Sequence, residues 1–171
     1  MGYIENNLLP NEKVLLKANI HSAIFLSAVV ELFVATIFFV VAVNSNPVDD
    51  FGWVWWLFAL VSLVHAVVLG IKALIVVMTT EFGVTNRRII AKKGFIRRHT
   101  LEMLLLQVES VSVEQSLIGR LMNFGIVRVI GTGGTKESFR AIVDPLKVRR
   151  VIHRMIEAQL AERSVLKIKR G

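Results

Sequence analysis

Two long apolar runs constrain this chain more than any other feature of its sequence. The first covers residues 22–43 and the second residues 53–75, and a short polar linker, Asn44–Asp50, separates them. Each run has about 22 residues, and a helix needs about 20 apolar residues to cross the hydrocarbon core of a bilayer. Lipid offers no hydrogen-bond partners, so a spanning segment must satisfy its own backbone and is therefore helical. The sequence predicts a transmembrane helical hairpin over residues 22–78.

The distribution of basic residues predicts the orientation of the hairpin. The linker contains Asp49 and Asp50 and no Lys or Arg, whereas Lys13 and Lys17 precede the first run and a series of basic residues follows the second. Because Lys and Arg accumulate in cytoplasmic segments, we expect both termini to face the cytoplasm. Three tryptophans between positions 53 and 56 then lie at the outer end of the second helix, where interfacial aromatic residues are expected.

The composition argues against several classes of protein. A hydrophobic content of 54% and a mean hydropathy of +0.59 suit a membrane protein better than a soluble enzyme. The absence of cysteine excludes disulfides, thiolate metal sites and a cysteine nucleophile. Residues 1–78 carry a net charge of −2 and residues 79–171 one of +10. This basic part suits an anionic membrane surface, or else serves solubility and topology, and the membrane tether argues against nucleic acid as a partner.

Two ionisable residues lie inside the predicted spans. Glu31 and His65 are about nine and ten residues from the cytoplasmic ends of their helices, which is roughly 14–15 Å deep at 1.5 Å per residue. In an antiparallel hairpin the two side chains can meet. Intramembrane ionisable groups are candidates for function, here proton handling. The alternatives are a structural interhelical hydrogen bond or a contact with another subunit.

Six basic side chains form the candidate site for lipid or partner contact. They are Arg87, Arg88, Lys92, Lys93, Arg97 and Arg98. A first strand leaves the second helix, a turn at residues 85–86 sends the chain back, and a turn at Lys93–Gly94 returns it toward the bilayer. Side chains near that second turn can reach anionic headgroups, at about 1 kcal/mol each. The alternative is a solvated hairpin.

No group of residues predicts catalysis, a cofactor or a metal. The segment Gly131–Lys136 is rich in glycine, but it lacks the glycine directly before the lysine that a phosphate-binding loop needs and joins two predicted strands. The four histidines have no metal-ligand spacing; they are His21, His65, His99 and His153. We therefore expect no enzyme activity.

After residue 78 the pattern changes to short alternating segments with turn residues between them. These segments predict six strands, at 79–84, 88–93, 95–101, 108–114, 126–131 and 138–143. Asp144–Pro145 then begins a helix with an apolar stripe that packs on the sheet, and a basic tail follows over residues 164–171, with disorder expected from Lys167 onward. The N-terminal segment, residues 1–21, predicts a turn and a short amphipathic stretch lying on the membrane or on the soluble domain.

Several of these stretches resemble the membrane-anchored bacterial pleckstrin-homology-like proteins. The stretches are Leu9–Val14, Glu81–Arg88, Lys93–Gly94, Val111–Arg120, Gly125 and Ile130–Gly134. The resemblance covers nearly the whole chain and implies a partly open barrel of about seven strands, over residues 79–163, capped by the C-terminal helix. A seventh strand is then expected around residues 102–106. Eukaryotic members that bind phosphoinositides use a basic pocket near the first hairpin, close to Arg87 and Arg88.

The predicted fold is therefore an α+β membrane protein, with a two-helix hairpin followed by a pleckstrin-homology-like domain. The resemblance implies a scaffold or adaptor of the bacterial inner membrane that assembles with itself or with another integral membrane protein, since an open sheet edge can pair with a further chain. One alternative is a sensor of anionic lipid, and another is a small transport or proton-handling subunit that uses Glu31 and His65.

Overall fold

A computed structural model of the chain describes residues 2–45, 51–94 and 98–169. It divides into two compact units: residues 22–78 form one, and residues 1–21 together with residues 79–171 form the other. In chain order the elements are α1 (Tyr3–Asn6), β1 (Val14–Ala18), a 3-10 turn (Ser22–Phe25), α2 (Leu26–Asn44), α3 (Gly52–Thr79), β2 (Glu81–Thr85), β3 (Arg88–Lys93), β4 (His99–Leu104), a 3-10 turn (Leu105–Gln107), β5 (Val108–Glu114), α4 (Leu117–Leu121), β6 (Phe124–Gly131), β7 (Lys136–Val143) and α5 (Pro145–Ile168).

The first unit consists of α2 and α3, which are long and apolar enough to span a membrane. Ala35 and Ala42 are buried in α2, and Ala59, Ala66 and Ala73 are buried in α3. A spacing of seven keeps small residues on one helix face, and small side chains let two helices approach closely. Most of the larger apolar side chains stay exposed, so this unit presents a surface that a bilayer would cover.

The second unit confirms the predicted fold class. Four strands form one antiparallel sheet in the order β1-β2-β3-β4, and three form another in the order β5-β6-β7. The two sheets meet where the chain continues beyond β1: Ile20 bridges Ile142, and the His21 N–H donates to the Ala141 carbonyl over 2.6 Å. Among the described residues no strand ladder joins β4 to β5, so the barrel is open at that corner.

The seventh strand is β1, and the prediction that placed it around residues 102–106 is wrong. Residues 102–104 belong to β4, and residues 105–107 form a 3-10 turn. The N-terminal segment instead adds a strand to the sheet, with Val14 opposite Thr85 and Ala18 opposite Phe82. Residues 22–78 are thus inserted between two strands that are neighbours in one sheet.

The core of the second unit lies between the two sheets and α5. Phe82 and Ile89 from the first sheet contribute to it, as do Val127 from the second and Val148 and Ile152 from α5; each is at most 1% exposed. The apolar stripe of α5 therefore packs on the sheets as predicted. The disorder predicted from Lys167 onward is wrong for residues 167 and 168, because α5 continues to Ile168. Residues 170 and 171 lie outside the described residues.

Truncation of the α5 stripe tests this packing. Ile152→Ala should lower the free energy of unfolding by about 2–5 kcal/mol, because it removes a fully buried side chain and leaves a cavity. The control is Leu160→Ala on the same helix, where the side chain is 54% exposed and little burial is lost. Thermal unfolding of the full chain in nanodiscs measures both variants, and equal effects would contradict the assigned packing.

Candidate functional site

The structure divides the predicted basic site among several local environments. Arg88 is the clearest case, since its side chain is only 12% exposed. Its guanidinium binds the fully buried carboxylate of Glu12 through Nη2 at 2.9 Å and Nε at 3.0 Å, and it also contacts the Glu102 carboxylate and the Asn7 carbonyl. Arg88 therefore ties the N-terminal segment to β3 and β4, and its donors face the protein.

The Thr85 hydroxyl completes this network and gives the stretch Thr85–Arg88 a structural role. This hydroxyl lies 2.7 Å from Glu12 Oε1 and accepts the backbone N–H groups of Arg87 and Arg88. The Lys13 N–H donates to the Asn86 side chain at 3.0 Å. The residues that most resemble a ligand-binding motif thus hold the turn between β2 and β3 against the segment before β1.

The pKa shifts of Glu12 and Arg88 favour the charged form of each side chain. Burial raises the pKa of the Glu12 carboxyl, but hydrogen bonds from Arg88, the Leu9 N–H and Thr85 outweigh burial, so the pKa lies below its ordinary value of 4.5. The hydrogen bond to Glu12 raises the pKa of Arg88 despite burial. The pair therefore stays ionised at neutral pH.

A second cluster surrounds Glu137 on β7. Its carboxylate lies 2.5 Å from Lys93 Nζ and 2.8 Å from His99 Nε2. Burial raises the pKa of Glu137, but hydrogen bonds from Lys93 and His99 outweigh it, so the pKa is lowered overall. Lys93 on β3 therefore pairs with a carboxylate on β7, although its own side chain is 41% exposed, and its Nζ also lies 5.8 Å from the Phe139 ring centre.

The other four residues of the predicted site either keep some exposure or lie outside the described residues. Arg87 and Arg98 are exposed, and neither has an ion-pair partner within residues 2–45, 51–94 and 98–169. Lys92 Nζ lies 5.1 Å from the Tyr3 ring centre. Arg97 lies outside the described residues. The six residues thus do not form one pocket, because Arg88 and Lys93 form ion pairs with carboxylates of the domain itself.

The predicted intramembrane pair does come together. His65 Nδ1 lies 3.3 Å from Glu31 Oε1, and the histidine side chain is 57% exposed on the hairpin surface. In α2 the Thr36 hydroxyl donates to the Leu32 carbonyl one turn earlier. The pair is an interhelical contact, and its function remains a hypothesis.

Two features of the second unit were not predicted as sites. The outer side of β4 has no strand beside it in the part of the chain that the structure describes. The short helix α4 exposes Leu117 and Leu121 by 85% and 88%. The exposure of both segments depends on the packing of the whole domain and has no local signal in the sequence.

The remaining sequence motifs have structural roles. Gly131–Lys136 forms the β6–β7 turn, closed by the Gly131 N–H donating to the Thr135 carbonyl at 2.9 Å, so the hairpin interpretation is confirmed. Among the described residues, no three His, Asp or Glu side chains are close enough together to hold a metal ion.

The fold is that of a pleckstrin-homology-like domain with a membrane-type hairpin, and comparison with known families agrees. The chain matches the bacterial PH domain family over residues 23–159. It belongs to that family, which confirms the resemblance. Domains of this kind are generally non-catalytic binding modules, so the chain is a membrane-associated or binding module. Comparisons with curated proteins and with solved structures give no match.

Replacement of Arg88 tests its structural role. Arg88→Met should lower the free energy of unfolding by about 3–5 kcal/mol, because it leaves the Glu12 charge buried without its partner. Arg87→Met is the matched control: because this neighbouring side chain is exposed, its replacement should change the free energy of unfolding by no more than about 0.5 kcal/mol. Thermal unfolding of the full chain measures both. An Arg88→Met protein as stable as the original would contradict the structural role of the ion pair with Glu12.

The lowered pKa values of Glu12 and Glu137 predict acid sensitivity. Each folded-state pKa lies below the unfolded value of 4.5, so each carboxylate stabilises the fold above that pH, and this stability is lost as pH falls through the folded pKa. The melting temperature should therefore drop below about pH 4.5. Glu12→Gln should make the melting temperature less dependent on pH, whereas Glu109→Gln, at an exposed position on β5, should leave this pH dependence unchanged.

Proposed function

We propose that the chain is a non-catalytic scaffold of the bacterial inner membrane. The hairpin anchors it with both termini in the cytoplasm, and the pleckstrin-homology-like domain joins it to other protein chains. The observation that carries the proposal is the open outer edge of β4. We take a second copy of the chain as the first partner, and another integral membrane protein as the alternative.

The register of the first sheet identifies which backbone groups point outward from β4. Lys93 pairs with His99 and Arg88 with Leu104. One position further along, Arg87 lies opposite Leu105. The Leu105 N–H donates to the Arg87 carbonyl at 3.0 Å, so these two residues form a hydrogen-bonded pair. Opposed pairs alternate between bonded and non-bonded along an antiparallel ladder. The N–H groups of three β4 residues therefore face away from β3; they are Thr100, Glu102 and Leu104.

The side chains leave this edge accessible. His99, Thr100, Glu102 and Leu104 are exposed, and Leu104 is 51% exposed. An exposed strand edge is a template for pairing with another strand unless charge, proline or a bulge blocks it. β4 contains no proline, and its Glu102 is neutralised by Arg88. These features support strand addition as the mode of assembly.

Removal of one outward N–H tests assembly without breaking the β3–β4 ladder. In nanodiscs the full chain should have the mass of a discrete oligomer, and Thr100→Pro should reduce it to the mass of a single chain, because proline has no N–H to donate. The matched control is Thr100→Val, which keeps the backbone donor and should assemble like the original protein. Mass photometry or native mass spectrometry measures all three.

Two results would contradict this scaffold proposal. One is a single-chain mass for the unchanged protein in a native lipid mixture. The other is an oligomer that Thr100→Pro leaves intact while the variant retains its melting temperature. Binding of lipid or of a foreign protein would then become the better explanation.

The end of β3 supports contact with anionic lipid as a second candidate function. Lys92 lies opposite Glu81, and Phe82 lies opposite Ala18, so β3 ends at the same end of the sheet where β1 ends and β2 begins. Lys92 near the end of β3 is half-buried, and Arg98 just before β4 is exposed. Each basic side chain near an anionic leaflet contributes about 1 kcal/mol.

Charge removal at Lys92 and Arg98 tests the lipid candidate. The double variant Lys92→Gln, Arg98→Gln should retain fewer phosphatidylglycerol molecules when the full chain is ejected from mixed nanodiscs in native mass spectrometry. The control is Arg163→Gln, an exposed basic residue far along α5. If the double variant retains as many anionic lipids as the control, these two residues are not a lipid contact.

A further inference from the structure

The helix α4 presents an apolar surface that the scaffold function does not use. Leu117 and Leu121 are 85% and 88% exposed, and Ile118 and Met122 are 51% and 45% exposed. Single exposed apolar residues are common on protein surfaces. Here, however, three apolar residues of the five-residue helix α4 and the apolar residue after it are exposed together. A contiguous apolar patch marks an interaction surface.

The backbone beneath this patch is held by the Gln-Ser-x-x-Gly stretch of the sequence. The Ser116 side chain accepts the Gly119 N–H at 3.1 Å, and the Gln115 side chain donates to the Phe124 carbonyl at 3.0 Å. A Cβ atom at Gly119 would lie 2.7 Å from the Phe124 carbonyl oxygen, so the position needs glycine. The turn therefore presents its leucines on a defined backbone.

The α4 turn is close in sequence to a residue that contacts the end of the segment before the first apolar helix. Phe124 directly follows the α4 turn, and its ring stacks on His21 with 5.0 Å between ring centres. His21 is the last residue of the domain before the segment that begins at Ser22. Because that segment is long and apolar enough to span a membrane, α4 is tethered within a few residues of the place where the chain enters the bilayer.

The surroundings of the patch match a membrane interface. Val143 lies opposite Phe124 in the ladder and is 37% exposed, and Leu146 at the start of α5 is 41% exposed. Arg120 in α4 and Lys147 beside Leu146 are exposed basic residues in the same segments. Apolar side chains with adjacent Lys and Arg are typical of elements that lie in the headgroup region.

We propose that α4 inserts its apolar side chains into the headgroup–acyl boundary of the bilayer that holds the hairpin. This inference rests on the anchoring part of the proposed function and is independent of assembly through β4. Leu117 and Leu121 enter the boundary, while Arg120 and Lys147 contact anionic headgroups. The contact would fix the face of the domain that is turned toward the membrane.

Single cysteines test this insertion directly, since the natural chain contains none. Leu121→Cys is labelled with a polarity-sensitive NBD dye in the full chain, and the protein is placed in nanodiscs of phosphatidylcholine and phosphatidylglycerol. We expect emission shifted to shorter wavelength and loss of intensity when lipids with a nitroxide on the acyl chain are included. Thr132→Cys, at the other end of β6, should show neither effect.

A third label reports whether the hairpin itself is inserted. Leu60→Cys lies within α3 and should be quenched strongly. An unshifted Leu121 label with a quenched Leu60 label overturns the inference alone. A shifted but unquenched Leu121 label also overturns it, because the dye would then be buried against protein. If Leu60 is not quenched, the anchoring and the inference both fail. A quenched Leu121 label in a protein that remains monomeric supports the inference while contradicting the scaffold.

Discussion

The ladder between β1 and β2 is the interaction on which the rest of this structure depends. These strands are neighbours in one sheet, yet the whole hairpin segment separates them in sequence. The ion pair between Glu12 and Arg88 reinforces the ladder at its far end, where Val14 meets Thr85. The domain cannot complete its first sheet until the chain has passed through both apolar helices and returned. Completion of the first sheet is therefore linked to the helical segment by the chain topology itself.

The same topology explains how the basic residues are used. In a domain of this family, basic side chains near the first hairpin invite comparison with a ligand pocket. Here Arg88 satisfies a fully buried carboxylate, and Lys93 neutralises Glu137 between the two sheets. Within the described residues, the surfaces for which we propose partners are the edge of β4, the charges of Lys92 and Arg98, and the apolar face of α4. Backbone donors, charge and apolar area are thus presented at different places, and each can be altered separately.

The sequence predicted the features that have local signals. Continuous apolar runs and alternation over short segments revealed both long helices and five strands, and the apolar stripe identified α5. The strand predicted at 95–101 overlaps β4 only at residues 99–101, and residues 95–97 lie outside the described residues. The strand β1 was missed because it has only five residues and its partner Glu81–Thr85 lies beyond the hairpin. Arg88 was predicted to be available because its partner Glu12 is 76 residues away. The exposure of Leu117 and Leu121 depends on how α4 packs, which no local pattern reveals.

The measurement that tests the scaffold most directly is amide hydrogen exchange along β4 in the full chain in nanodiscs. If a second strand pairs with this edge, the outward N–H groups of Thr100, Glu102 and Leu104 should exchange as slowly as the inner amides of Ile89 and Ala91. Exchange of these three amides at the rate of the exposed Gly133, in a preparation whose inner amides are protected, would contradict assembly through β4.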